Sequence, residues 1–309
     1  MTSPRHLTVD LPNGAAHVLE AGAGPPVVLL HGLSSLAQEI MAPLLDLSAG
    51  HRLLAIDRPG YGGSAPQPAD RMAPDRQAEW LAAVLDALAV ERPVIVAHSF
   101  ASSIALCHAM ARPDRIAGLV LLGPFCRPTP PAARPLLRVA SKPMLGWPVR
   151  WALPQVAPFL AARSLAATFA PDPVPDHVLG LPFAVAVQPC AVMAMAAELN
   201  GFNAAMEAAA ERLHEIACPT VVIAGDCDRI APFDHHGPWL TDRLAHCTTV
   251  RVEGRGHMVH HVRPTAVVHA VERVERADRR LIDLRPLRRG LATWTRALRR
   301  RPAERRPAA

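Results

Sequence analysis

The sequence predicts an α/β protein: a mostly parallel central sheet flanked by helices, with a helical segment inserted before the last strands. Three observations carry this expectation. Five apolar runs, at 27–30, 53–56, 93–96, 119–122 and 221–224, lack polar alternation, the pattern of strands covered on both faces. Between them, Trp80, Leu81, Val84, Leu85 and Leu88 recur at helical spacing, and residues 104–110 continue a helix begun after Ser99. Strands of this kind alternating with helices assemble into a parallel sheet through right-handed crossovers. Third, the alternation stops between Gly123 and Cys218.

In chain order, residues 7–9 and 16–19 flank the turn signal Pro12-Asn13-Gly14 and are expected to form a strand pair. The buried strands follow. The stretch 124–215 is rich in proline (Pro128, Pro130, Pro131, Pro135, Pro143, Pro148, Pro154, Pro158) and has helix-like apolar patches. It is expected to be a helical cap inserted into a core of 1–123 and 216–277. Met144, Trp147, Trp151, Phe159, Phe169, Phe183, Met193, Met195, Phe202 and Met206 are spread across it. Most are expected to pack against the core, and any that line a pocket favour an apolar substrate.

Composition sets exclusions. Half of the 309 residues are hydrophobic, enough for a large core, and aromatics are only 4%, which disfavours a groove that stacks nucleic-acid bases. The net charge is +6, but it is uneven. Residues 278–309 hold eleven arginines against Asp278, Asp283 and Glu304, a balance of +8 that leaves −2 for the rest. The basic character belongs to a tail, so no nucleic-acid partner is expected for the body. Within 286–301, Leu287, Leu291, Trp294 and Leu298 make one helical stripe beside Arg288, Arg289, Arg296, Arg299, Arg300 and Arg301. That is the pattern of a basic helix lying on an anionic membrane surface. Cys107, Cys126, Cys190, Cys218, Cys227 and Cys247 include no C-x-x-C pair, which disfavours zinc ribbons and dithiol redox sites. The N-terminus carries no signal-like segment, and no run of about 18 apolar residues occurs. A cytoplasmic location, with peripheral contact at the inner membrane face, is the expectation.

Five motifs bear on chemistry. Ala97-His98-Ser99-Phe100-Ala101 joins a buried strand to a helix, where a sharp turn lifts a serine hydroxyl above the sheet edge. Alanines stand where glycine is usual, and alanine fits a positive φ less well. An ordinary helix-capping serine is the plain alternative. His31-Gly32-Leu33 follows the 27–30 strand, so the Leu33 and Phe100 amides could both face a developing oxyanion. Asp57-Arg58-Pro59-Gly60-Tyr61-Gly62-Gly63-Ser64 is a stiff loop expected at the pocket rim. In Gly225-Asp226-Cys227-Asp228, Asp228 is favoured as a catalytic acid, and Asp226 reads as a turn or capping residue. Gly256-His257 places an imidazole late in the chain. His257, His260 and His261 have ligand-like spacing at i, i+3 and i+4, but no carboxylate or cysteine partner is suggested, so no metal site is expected. They are expected to start the last helix, and His235-His236 to be surface or helix-start residues.

The order serine, acid, base, each after an expected strand, is that of one architecture. The chain resembles the α/β-hydrolase superfamily, in its capped serine-hydrolase branch, over about residues 15–277. The resemblance implies the α/β-hydrolase fold with Ser99 as nucleophile, Asp228 as acid and His257 as base. Ester cleavage through an acyl-enzyme would need neither cofactor nor metal. A serine at the elbow argues against the haloalkane dehalogenases and epoxide hydrolases of the superfamily, which use a carboxylate there. Acyltransferase, cofactor-free haloperoxidase and carbon–carbon hydrolase activities stay open, as does a non-catalytic hydrolase-like binding protein.

Overall fold

The computed structural model describes residues 3–129, 165–182 and 184–299, with side chains described through residue 281. Eight strands make one sheet: β1 (Arg5–Val9), β2 (Ala16–Ala21), β3 (Pro26–Leu30), β4 (Arg52–Ile56), β5 (Val94–His98), β6 (Gly118–Leu122), β7 (Thr220–Gly225) and β8 (Cys247–Val252). Their order is β1-β2-β4-β3-β5-β6-β7-β8. The β1–β2 and β2–β4 pairs are antiparallel and the others parallel. The helices are α1 (Ala37–Met41), α2 (Pro74–Ala87), α3 (Ala101–Ala111), α4 (Asp176–Leu179), α5 (Pro189–Ala210), α6 (Phe233–Thr241), α7 (Val259–Val262) and α8 (Pro264–Arg299).

Successive strand side chains face opposite layers. On one face Val28, Leu30, Leu54, Ile56 and Ile95 pack with Leu81, Val84 and Leu85 of α2 and Ile104 of α3. On the other, Val27, Leu29, Leu53, Val94 and Val96 meet Ile40 and Met41 of α1 and Val267, Val271 and Val274 of α8. Two covered faces explain why the strands read as unbroken apolar runs. Pro74 opens α2, where a missing amide hydrogen costs no intrahelical bond. The α3 helix is buried from Ala101 through Ala109, so its alanines and serines let it lie close to both the sheet and α2.

Between β6 and β7 the described residues hold α4 and α5 and no strand. Met144, Trp147, Trp151, Phe159 and Phe183 lie outside the described residues. Phe169, Phe202 and Met206 are buried, whereas Met193 is 47% exposed. The α8 helix runs on through residue 278, where the charge balance changes. There Asp278 takes two hydrogen bonds from Arg92 Nη2, at 2.7 and 2.9 Å, which dock this turn on the core. The side chains of the 286–301 stripe lie outside the described residues. Among the described residues no helix is long and apolar enough to cross a membrane.

Candidate active site

Ser99 directly follows β5 and precedes α3, with a φ of +55°. Such a left-handed backbone costs a non-glycine residue energy and is held only by its surroundings. Here the Ser99 amide donates to Leu122 O at 2.9 Å, and its carbonyl accepts from the Phe125 amide at 3.1 Å. The positive φ falls on the serine and not on Ala97 or Ala101, so the alanines are not strained there. Both are fully buried, and what those positions require is small volume. Ser99 is 7% exposed, and its hydroxyl has no hydrogen-bond partner among the described residues.

His257 and Asp228 arrive from loops after β8 and β7. His257 Nδ1 and Asp228 Oδ2 lie 2.7 Å apart, and both residues are buried. Asp228 follows β7, and its Oδ1 accepts from the Ile230 and Ala231 amides at 2.8 and 2.9 Å. Asp226 instead accepts from the Gly254 amide at 2.7 Å and serves the turn. Gly256 is required by close approach: a Cβ there would sit 2.1 Å from Ala170 O. Gly123, one residue past the carbonyl that anchors Ser99, has φ +46°. A Cβ on it would lie 3.1 Å from His257 Nδ1 and 3.3 Å from Asp228 Oδ2. Ser99 and the His257–Asp228 pair therefore share the C-terminal edge of β5, β6 and β7. No hydrogen bond yet joins the serine hydroxyl to the ring, a link that in free enzymes often tightens only with substrate. Gly123→Ala is expected to lower kcat about 10- to 100-fold by pushing the pair out of line. A kcat within twofold of wild type in the folded variant would contradict this.

Gly32 faces the same edge, where a Cβ would stand 3.1 Å from Ser99 Cβ. Among the described residues the Leu33 and Phe100 amides have no acceptor. The 57–64 loop holds its neighbours through buried polar side chains. Asp57 Oδ1 accepts from the Ala37 amide at 2.8 Å, and Oδ2 lies 2.7 Å from His17 Nδ1. Arg58 is 1% exposed and pairs with Glu198 of α5. Neither partner was visible as such in the motifs. The available signal was that Glu198 is the sole charge across 189–206, and charges are rarely buried unpaired.

Behind His257 lies a second buried cluster. Glu39 Oε1 is 2.7 Å from both His260 Nε2 and His261 Nε2, and Ser35 Oγ donates to Oε2 at 2.7 Å. His177 Nε2 lies 3.0 Å from His261 Nδ1. His98 is wedged between the rings of His257 and His260, with centroids 4.7 and 4.5 Å away. Burial raises the Glu39 carboxyl, but His260 and His261 outweigh it and hold the group well below the usual carboxylate range. The carboxylate partner that sequence spacing did not suggest is thus supplied by Glu39, 221 residues from His260. Among the described residues Glu39, His260 and His261 could present ligand atoms to a metal. As placed, both imidazoles are hydrogen-bonded to Glu39 Oε1 at 2.7 Å. His260 and His261 occupy the short α7 before α8 and not its first turn, and His236, in α6, is buried with its Nδ1 accepting from the Arg127 amide at 3.2 Å.

Several of these imidazoles are held neutral. Burial, then the Arg58 charge, pushes His31 down to about 4. Burial, then His235, takes His236 to about 3. In the unfolded chain both would protonate near pH 6.5. The unfolded state thus binds more protons between these values, so stability is full above pH 6.5 and is lost progressively as pH falls from 6.5 towards 4. His31 alone contributes a loss of about 3 kcal/mol by pH 4. The urea midpoint is expected to be clearly lower at pH 4.5 than at pH 7.5, and equal midpoints would contradict this.

A family model described as alpha/beta hydrolase fold matches residues 25–264. The chain belongs to the alpha/beta hydrolase family. Epoxide hydrolase 3 of Siraitia grosvenorii is 35% identical over 43% of this chain and 42% of its own length. The 2-hydroxy-6-oxo-6-phenylhexa-2,4-dienoate hydrolase of Comamonas testosteroni is 28% identical over 73% of this chain and 79% of its own. In sequence the chain spans less than half the length of the curated epoxide hydrolases of Rattus norvegicus, Siraitia grosvenorii, Mus musculus and Caballeronia sordidicola that it matches. Among solved structures, the 2-hydroxy-6-oxo-6-phenylhexa-2,4-dienoate hydrolase of Rhodococcus sp. strain RHA1 superposes with a TM-score of 0.71. It is 22% identical and is matched over 89% of this chain and 100% of that one, a likeness of fold.

Proposed function

We propose that this alpha/beta hydrolase is a serine hydrolase that cleaves an ester-type bond of a small to medium apolar substrate. The observation that carries the reading is Ser99 on a left-handed backbone at the β5–α3 junction, beside a buried His257–Asp228 pair on the same sheet edge. In this reading His257 takes the Ser99 proton as Oγ attacks a carbonyl carbon. Asp228 fixes the proton on Nδ1 and stabilises the imidazolium. The Leu33 and Phe100 amides receive the oxyanion, each contributing about 3–4 kcal/mol. His257 then protonates the leaving group, and water repeats the sequence on the acyl-enzyme.

A serine in place of a carboxylate at position 99 speaks against carrying over the activity of the epoxide hydrolases. A second reading, hydrolysis of a carbon–carbon bond beside a ketone, is favoured by the Comamonas testosteroni relative, which matches 73% of this chain. Turnover of p-nitrophenyl esters from acetate to laurate, set against a 2-hydroxy-6-oxo-dienoate, separates the two. The first reading expects ester turnover to rise with acyl length. Sole turnover of the dienoate would install the second, and a sharp preference for acetate would remove the apolar substrate.

A further inference from the structure

We infer that Arg58 is a positioning residue for the oxyanion hole, and that Glu198 makes its position depend on helix α5 being docked. The inference rests on the Leu33 amide acting as an oxyanion donor. Arg58 is buried beneath the strand exit. Its Nε donates to His31 O at 2.8 Å, and its Nη2 donates to Gly32 O at 2.9 Å. Its own backbone amide donates to His31 Nε2 at 2.9 Å, so side chain and main chain both hold His31. The Gly32 carbonyl and the Leu33 N–H belong to one trans peptide, in which the C=O and N–H point in opposite directions. Holding Gly32 O on a guanidinium therefore turns the Leu33 N–H away from Arg58. A full positive charge on that carbonyl also draws electron density from the amide and strengthens it as a donor. Gly32 itself abuts Ser99 Cβ, so the rotated peptide lies at the elbow.

The guanidinium is in turn fixed from the segment between β6 and β7. Glu198 of α5 pairs with Arg58 Nη1. The carboxylate is fully buried and also accepts from Tyr61 Oη and Gln77 Nε2, both at 2.8 Å. The two carbonyls and the carboxylate are met by three separate nitrogens of a planar fork, a spread that the single nitrogen of a lysine ammonium does not reproduce. Gly32 O is shared by the guanidinium and by His31 Nδ1 at 2.8 Å, and Arg58 Nη1 also reaches Gln77 Oε1 at 3.3 Å; the buried counter-charge that holds the guanidinium on the oxyanion peptide comes from α5.

The test uses full-length Arg58→Gln, Arg58→Lys and Glu198→Gln, checked for folding by circular dichroism and melting. Steady-state kinetics on a p-nitrophenyl ester are read with inhibition by a trifluoromethyl ketone, which forms a tetrahedral adduct. Arg58→Gln is expected to lower kcat about 100-fold, as removal of one oxyanion donor does. KM should stay within threefold, and ketone affinity should fall in parallel with kcat. Arg58→Lys should recover part of the loss, and Glu198→Gln should lose about 10-fold. Wild-type kcat in folded Arg58→Gln, or a loss confined to KM, would overturn the inference. Wild-type kcat in Glu198→Gln would overturn the dependence on α5, including when Arg58→Gln does not fold. A crystal structure of Arg58→Gln, or of Glu198→Gln if the former does not fold, gives a readout independent of activity. Rotation of the Gly32–Leu33 peptide supports the inference, and an unchanged peptide refutes it. A wild-type protein without Ser99-dependent turnover would sink the hydrolase reading instead.

Discussion

Asp228→Asn is expected to lower kcat by about four orders of magnitude in a protein that still folds. The asparagine carbonyl can keep the bonds that Asp228 Oδ1 accepts from Ile230 and Ala231. Its amide then faces His257 Nδ1, where Oδ2 now stands at 2.7 Å. That amide can only donate, so Nδ1 becomes the unprotonated nitrogen and the proton sits on Nε2. An imidazole protonated at Nε2 cannot accept the serine proton. The same substitution at Asp226, which serves a turn, is expected to leave kcat within a few-fold. The check is kcat for both variants alongside their melting temperatures. An Asp228→Asn variant that keeps a tenth of wild-type kcat would contradict the assignment.

The largest expected loss of stability away from that pair comes from Glu198→Ala. It leaves the Arg58 cation buried without its counter-ion and removes the acceptor of Tyr61 Oη and the Gln77 amide. Breaking one side of a buried pair costs about 3–5 kcal/mol. Replacing both charges, as Arg58→Met with Glu198→Leu, is expected to recover part of that, because no uncompensated charge remains although Tyr61 Oη and the His31 carbonyl lose their partners. Urea unfolding of the single and double variants measures the difference. A loss under about 1 kcal/mol in Glu198→Ala would mean that the charge is not buried as placed.

Much of this fold was legible because its strands are covered on both faces. Val27 to Leu30 and Leu53 to Ile56 must be apolar at every position, and that pattern survives without knowledge of partners. The site was legible where local chemistry marks it, as with a serine between a strand and a helix or a glycine before a histidine. What was not legible is contact across long separations. Glu39 meets His260 and His261 across more than 200 residues, and Arg58 meets Glu198 across 140. Glu198 stands alone among apolar neighbours in the sequence, which points to a buried partner without naming it. The strain at the elbow was likewise expected at the alanines, whereas the backbone concentrates it in Ser99.

The central claim is that the hydroxyl at position 99 is the attacking group. It is tested most directly by a fluorophosphonate probe, which phosphonylates only an activated serine. The wild-type protein is expected to be labelled on one residue, and a folded Ser99→Ala variant not at all. Labelling of Ser99→Ala to the wild-type extent would contradict the account.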